Sequence, residues 1–182
     1  MDLLGDFFED DVSEVLRRVS SLPPRDVLSY LVSTSQRVLA VYQVMTDSLP
    51  RGYGKIKFSR FVEKKERQTE ELWKIALRLH PESLSSEVKG EDIEVSIETV
   101  GDYAEVLEQT IKLEELQLRA CRYLSGKIGD PDLSMLLQDL ANEIEENISF
   151  LREELERVKG IERKVKFSEF VRELVGDRDG RV

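Results

Sequence analysis

Unequal spacing of the helix breaks constrains this fold more than any other feature of the sequence. Pro50-Arg-Gly-Tyr-Gly and Gly129-Asp-Pro are short breaks, so the helical stretches on either side of each must fold back as an antiparallel hairpin. Between the two hairpins lies a much longer link, residues 81–99. At roughly 3.3 Å per extended residue it spans about 60 Å, whereas a helix of about 22 residues is only about 33 Å long. The link can therefore run the length of a bundle and deliver the third long helix parallel to the second. Its Ile93, Val95 and Ile97 alternate with acidic or polar residues, as in an extended strap with one side lying on the helices.

Apolar periodicity places the helices. A short one runs from about Asp10 to Ser20, with Val12, Val15, Leu16 and Val19 on one face; Pro23 and Pro24 end it and begin the next. The first long helix then carries Leu28, Leu31, Ser35, Val38, Tyr42, Met45 and Leu49, which puts a lone serine in a buried seam. The second, from about Ser59 to Leu79, turns Phe61, Val62, Thr69, Trp73 and Ala76 inward with Glu66 on the same side, and stops at His80-Pro81. The third, from about Val100 to Ile128, shows Leu107, Ile111, Glu114, Leu118 and Cys121. After the break, Asp130 caps and Pro131 opens the fourth, which carries Leu133, Leu137, Leu140, Ile144, Asn147, Leu151 and Leu155 to about Val158. A short helix from about Ser168 to Val175 precedes a charged tail. The fold class is all-α. One domain spans 1–182, built on a four-helix bundle over 26–158, with helical extensions at 1–22 and 161–182.

Charge and composition narrow the partners. A net charge of −10 over 182 residues argues against nucleic acid or an anionic membrane, because phosphate binding needs a basic surface. The chain has no run of about 18 apolar residues and no signal-like N-terminus. The single cysteine, Cys121, has no partner for an internal disulfide, so a cytoplasmic setting is expected. Asn occurs only at 142 and 147 amid abundant Glu, Lys and Arg, a bias common in thermophile proteins. The acidic run from Glu143 to Glu156 reads as a solvated face, His80 as a helix-end residue, and Cys121, Trp73, Tyr42 and Tyr123 as packing. Two similar segments, Lys55-Ile-Lys-Phe-Ser-Arg-Phe-Val and Lys164-Val-Lys-Phe-Ser-Glu-Phe-Val, each read as a helix start capped by Ser59 or Ser168.

Three segments carry a resemblance. Thr110-Ile-Lys-Leu-Glu-Glu-Leu-Gln-Leu-Arg-Ala, Glu66-Arg-Gln-Thr-Glu-Glu-Leu and Leu140-Ala-Asn-Glu-Ile-Glu-Glu-Asn resemble, in order and spacing, the ligand-bearing helices of the rubrerythrin and ferritin-like family. In such bundles two helices each supply a Glu and two others a Glu-x-x-His pair, because two metal ions in an apolar core need several carboxylates for charge balance. The resemblance covers roughly residues 26–158. It implies two hairpins joined by a long crossover and a di-iron layer of which only Glu66 and Glu114 remain. Ser35, Thr69, Ile144 and Asn147 stand at the other ligand positions.

Two functions follow. The first is a non-catalytic ferritin-like bundle that needs no cofactor and acts as a structural or protein-interaction module. A homodimer or another protein is its expected partner, since apolar residues at both ends (Leu3, Leu4, Phe7, Phe8; Phe167, Phe170, Val171, Leu174) need a surface to cover. The alternative is an iron- or manganese-dependent oxidoreductase with an altered site, recruiting neighbours such as Glu63 or Glu143; acid–base chemistry by Glu66 and Glu114 is a third, lesser reading. Without metal, the two carboxylates are expected to be protonated, to be hydrogen-bonded to Ser35, Tyr42, Thr69 or Asn147, or to pair with a Lys or Arg, since a buried unpaired charge is costly.

Overall fold

The computed structural model describes residues 12–81 and 95–175. Six helices follow in order: α1 (Val12–Ser20), α2 (Pro24–Ser48), α3 (Tyr53–Leu79), α4 (Val100–Ser125), α5 (Pro131–Lys159) and α6 (Phe167–Val175). Among the described residues there is no strand, only an isolated antiparallel bridge between Thr99 and Lys166. The four long helices pack around one shared core.

Where apolar residues recur every three or four positions, the helices turn as that period requires. All seven seam positions from Leu28 to Leu49, six in α2 with Ser35 among them and Leu49 as its C-cap residue, are buried, as are the seven of α5 from Leu133 to Leu155. In α4, 15 of 26 residues are buried because the helix packs against α1, α2 and α5 at once. Its start is fixed by a capping box in which Thr99 and Asp102 satisfy each other's backbone amides. Asp130 caps α5 through the amides of Asp132 and Leu133, with Pro131 in the first turn.

α3 begins at Tyr53 rather than near Ser59. The chain reverses through a 3-10 turn, Pro50–Gly52, in which Gly52 takes a left-handed φ of 71° that costs glycine little. Gly54 then lies against α2 so closely that a Cβ there would fall 1.9 Å from the Met45 carbonyl oxygen. Ser59 consequently sits inside α3, exposed, and Ser168 inside α6, so neither serine caps its helix. The phenylalanines of both repeated segments do face the core.

Contacts between helices fix their directions. Gly54 lies against Met45 and Thr69 meets Ser35, so α2 and α3 are antiparallel. Arg122 meets Glu145 and Arg152 meets Glu115, so α4 and α5 are antiparallel too. Tyr53 packs beside Tyr103 and Lys65 beside Glu114, so α3 and α4 run parallel. Much of the strap that connects them, with Ile93, lies outside the described residues. At its end Val95 and Ile97 are half-buried while Ser96 and Glu98 are exposed, which is the expected alternation. That end is tied to the segment before α6: the amides of Val100 and Gly101 donate to the carbonyls of Val165 and Arg163, and the Phe167 amide donates to Glu98.

Phe167, Phe170 and Val171 of α6 are buried in their own bundle, Phe167 against Tyr53 and Tyr103. Leu3, Leu4, Phe7 and Phe8 lie outside the described residues. No helix among the described residues is long and apolar enough to cross a membrane.

Candidate functional site

A polar layer crosses the middle of the core. Glu114 of α4 is fully buried and accepts three hydrogen bonds from three other helices. Tyr42 of α2 donates its hydroxyl at 2.8 Å, Asn147 of α5 its Nδ2 at 3.2 Å, and Lys65 of α3 its Nζ at 2.7 Å. Lys65 and Glu114 both have 0% of their side-chain surface exposed. The ammonium also donates to Gln117 Oε1 at 3.1 Å. Beside this group, the Ser35 and Thr69 hydroxyls are 2.6 Å apart, and Thr69 donates back to the Lys65 carbonyl oxygen. Of the partners expected for the two glutamates, Tyr42, Asn147 and a lysine meet Glu114, whereas Ser35 and Thr69 bond to each other instead. Ile144, three residues before Asn147 on α5, is buried in the core.

Glu66 is corrected. It is exposed on α3, and its neighbour Lys65 turns inward instead. The buried positions of this helix are Tyr53, Gly54, Phe58, Phe61, Lys65, Gln68, Leu72, Ile75 and Ala76; Phe61 and Ala76 face in as read, whereas Thr69 and Trp73, read as facing in, are half-buried. Residues 63–71 are almost wholly polar, so no apolar residue fixes the rotation there, and one position along a helix turns a side chain by about 100°. A signal did exist: the three-four spacing from Phe58 and Phe61 to Leu72 passes through Lys65 and Gln68.

The charge inside the layer is balanced without any further ion. One carboxylate faces one ammonium, and the remaining groups are hydroxyls and amides. Among the described residues no group of three or more His, Cys, Asp or Glu side chains is placed to hold a metal. Burial raises the Tyr42 hydroxyl well above its ordinary value, and the Glu114 charge raises it further, so it stays a donor. Cys121 is buried nearby; burial pushes its thiol up to about 12, outweighing the lowering effect of Lys65. A thiol held protonated is a packing group, not a nucleophile. His80 ends α3 as its C-cap residue.

The acidic run from Glu143 to Glu156 is solvated at Glu145, Glu146, Glu153 and Glu156, but Glu154 departs from that reading as a second buried carboxylate. Glu154 of α5 is buried near the other end of the bundle. The Tyr53 and Tyr103 hydroxyls both donate to its Oε1, Tyr103 at 3.1 Å. Lys57 and Arg157 each approach Oε2 at 3.4 Å. Burial first, and the carboxylate second, push both tyrosine hydroxyls above their ordinary value. Glu154 lies three residues after the seam leucine Leu151 and seven after Asn147, so helical spacing already placed it inward.

No protein-family model matches this chain. No curated protein matches it either. A solved structure, that of a hypothetical protein from Pyrococcus furiosus, is similar: it superposes with a TM-score of 0.70 at 15% identity, over 79% of this chain and 94% of that one. At that identity the likeness speaks to the fold alone.

Proposed function

We propose that this chain is a non-catalytic ferritin-like bundle in which a lysine ammonium takes the place of the metal ions, and that it acts as a structural or protein-interaction module. The observation that carries this reading is the contact between Lys65 Nζ and Glu114 Oε2, 2.7 Å apart with both side chains enclosed. Two antiparallel hairpins with parallel α3 and α4 support the ferritin-like order of helices. A divalent ion needs negative charge that this layer lacks, since its one inward carboxylate is already paired. The residues present therefore do not fit a di-metal centre.

Elemental analysis of the purified protein, before and after anaerobic incubation with Fe²⁺ and Mn²⁺, tests the reading. No bound metal is expected in either state. Near-stoichiometric metal that disappears on Glu114→Ala would replace this reading with the metal-dependent oxidoreductase.

A further inference from the structure

The core has four sides, formed by the helix pairs α2–α3, α4–α5, α2–α4 and α3–α5, and they are not closed alike. Of the four, α3 and α5 approach least closely. A crevice of about 330 Å³ opens between them, with Phe61 and Arg67 of α3 and Glu146 and Asn147 of α5 among its walls.

What spans this side changes along its length. Toward the start of α3, Phe58 and Phe61 meet Phe150 of α5 with ring centroids 5.9 Å and 4.5 Å apart, an apolar clasp. One turn further along α3 the bridges are polar. Lys64 Nζ reaches Glu146 Oε2 at 2.9 Å and the Glu143 carbonyl oxygen at 3.2 Å. Arg67 reaches Glu143 at 3.1 Å, and Gln68 donates to the same carboxylate at 2.9 Å. These ion pairs are solvated, with 57% of the Arg67 side chain and 76% of the Glu146 side chain exposed. Pairs of this kind hold weakly, and salt screens them. Ion pairs also cross the α4–α5 side, from Arg122 to Glu145 and from Arg152 to Glu115, but there the helices already pack closely.

Behind the polar bridges lies the buried layer, where hydrogen bonding is incomplete. Gln68, Gln117 and Asn147 are at most 1% exposed, yet Gln68 Oε1, Gln117 Nε2 and Asn147 Oδ1 have no partner. Gln117 and Asn147 are themselves bonded to Lys65 and Glu114, so two of the three orphan atoms belong to the ion-pair layer. A buried polar group without a partner costs stability until it meets one. Parting α3 from α5 gives these atoms water, which offsets part of what the broken bridges contributed. The closed state is thus held weakest at the point where opening has most to gain.

We propose that the polar stretch between α3 and α5 is a salt-sensitive gate. It opens locally beside the Phe61–Phe150 clasp and admits water and small solutes to the Lys65–Glu114 pair while the other three sides of the bundle stay packed. The gate needs neither a metal nor a protein partner, so it stands or falls separately from the function proposed above.

Lys65 reports the open state, because its amine reacts with an acylating reagent only when solvent reaches it. The experiment is a brief, sub-stoichiometric pulse of a water-soluble acetylating ester on the full chain, with acetylation at Lys65 read by peptide mass spectrometry. Lys65 is expected to react faster than global unfolding allows. Its rate should be nearly flat in low urea, since local opening exposes little surface, whereas global unfolding rises steeply. Raising sodium chloride from roughly 0.1 M to roughly 1 M should speed it about fivefold. Lys64→Gln should speed it about as much, and Glu146→Gln, at the largely exposed end of the same pair, should act alike without disturbing the core. Arg122→Gln, which removes an ion pair from the closely packed α4–α5 side, should leave it unchanged. Labelling that tracks global unfolding across the urea series, that ignores salt and both gate variants, or that responds equally to Arg122→Gln would overturn the proposal.

Discussion

Glu114 and Glu154 are both buried carboxylates held by tyrosines and cations, yet they are neutralised in different ways. Glu114 faces an ammonium as deeply enclosed as itself at 2.7 Å. Glu154 faces Lys57 and Arg157, which keep 20% and 50% of their side chains exposed and stand off at 3.4 Å. The first pair has no water to fall back on. The second keeps its cations solvated and relies on two phenolic hydroxyls for close contact. An ion pair's consequence for stability depends on what its partner is left with when it is broken, and here the same chemistry meets opposite surroundings.

The largest expected effect breaks the inner pair. Lys65→Met strands Glu114 in the core and should destabilise the protein by about 3–5 kcal/mol, measured by urea unfolding at pH 7. Adding Glu114→Leu should restore much of that loss, because removing both charges also removes both desolvation penalties. A double variant as unstable as the sum of its singles would show that the two side chains do not act as a pair.

Next comes alkaline pH, which sharpens the contrast from the tyrosine side. Tyr42, Tyr53 and Tyr103 all have hydroxyls raised above the ordinary 10.0, chiefly by burial. A raised value in the folded state means that the stability these groups contribute is whole below pH 10 and is lost as pH climbs beyond it, where the unfolded chain ionises first. The urea midpoint should therefore fall above pH 10. Tyr53→Phe with Tyr103→Phe should flatten that fall more than Tyr42→Phe, since it removes two of the three groups. A midpoint indifferent to pH between 9 and 11 in the parent protein would refute the assignment.

The smallest expected effect is at the outer pair. Lys57→Met should cost under about 1 kcal/mol, because its partner retains Arg157, Tyr53 and Tyr103 and the lysine itself is partly solvated. A loss as large as that for Lys65→Met would erase the distinction between the two carboxylates.

Much of this was legible in the residues. The seams of α2 and α5 hold at every position because apolar or aromatic side chains fill all but one place in each, and Ser35 and Asn147 are carried inward by their neighbours. Asp130 and Pro131 mark the start of α5 by chemistry that is local to the chain. Glu114 stood in such a seam between Ile111 and Leu118 and is buried as that implies. Glu66 and Thr69 were placed by extending a pattern across a stretch with no apolar anchor, and there the rotation was off by about one residue. The start of α3 was missed for a related reason: Tyr53 and Gly54 look like a turn in sequence, and only the contact of Gly54 with the α2 backbone makes them helix.

By itself the sequence determined how many long helices form, where they break except at the start of α3, and which faces of α2, α4 and α5 turn inward. These follow from hydrophobic burial and backbone hydrogen bonding within a few residues. The spacing from Phe58 and Phe61 to Leu72 admits Lys65 and Gln68 inward, but only tertiary structure decided that Lys65 enters the core with Glu114 as its partner. Lys65 and Glu66 are equally poor candidates for burial on their own. Only Lys65 meets an opposite charge when α3 packs against α4, and an attraction between residues 49 positions apart leaves no mark on local periodicity.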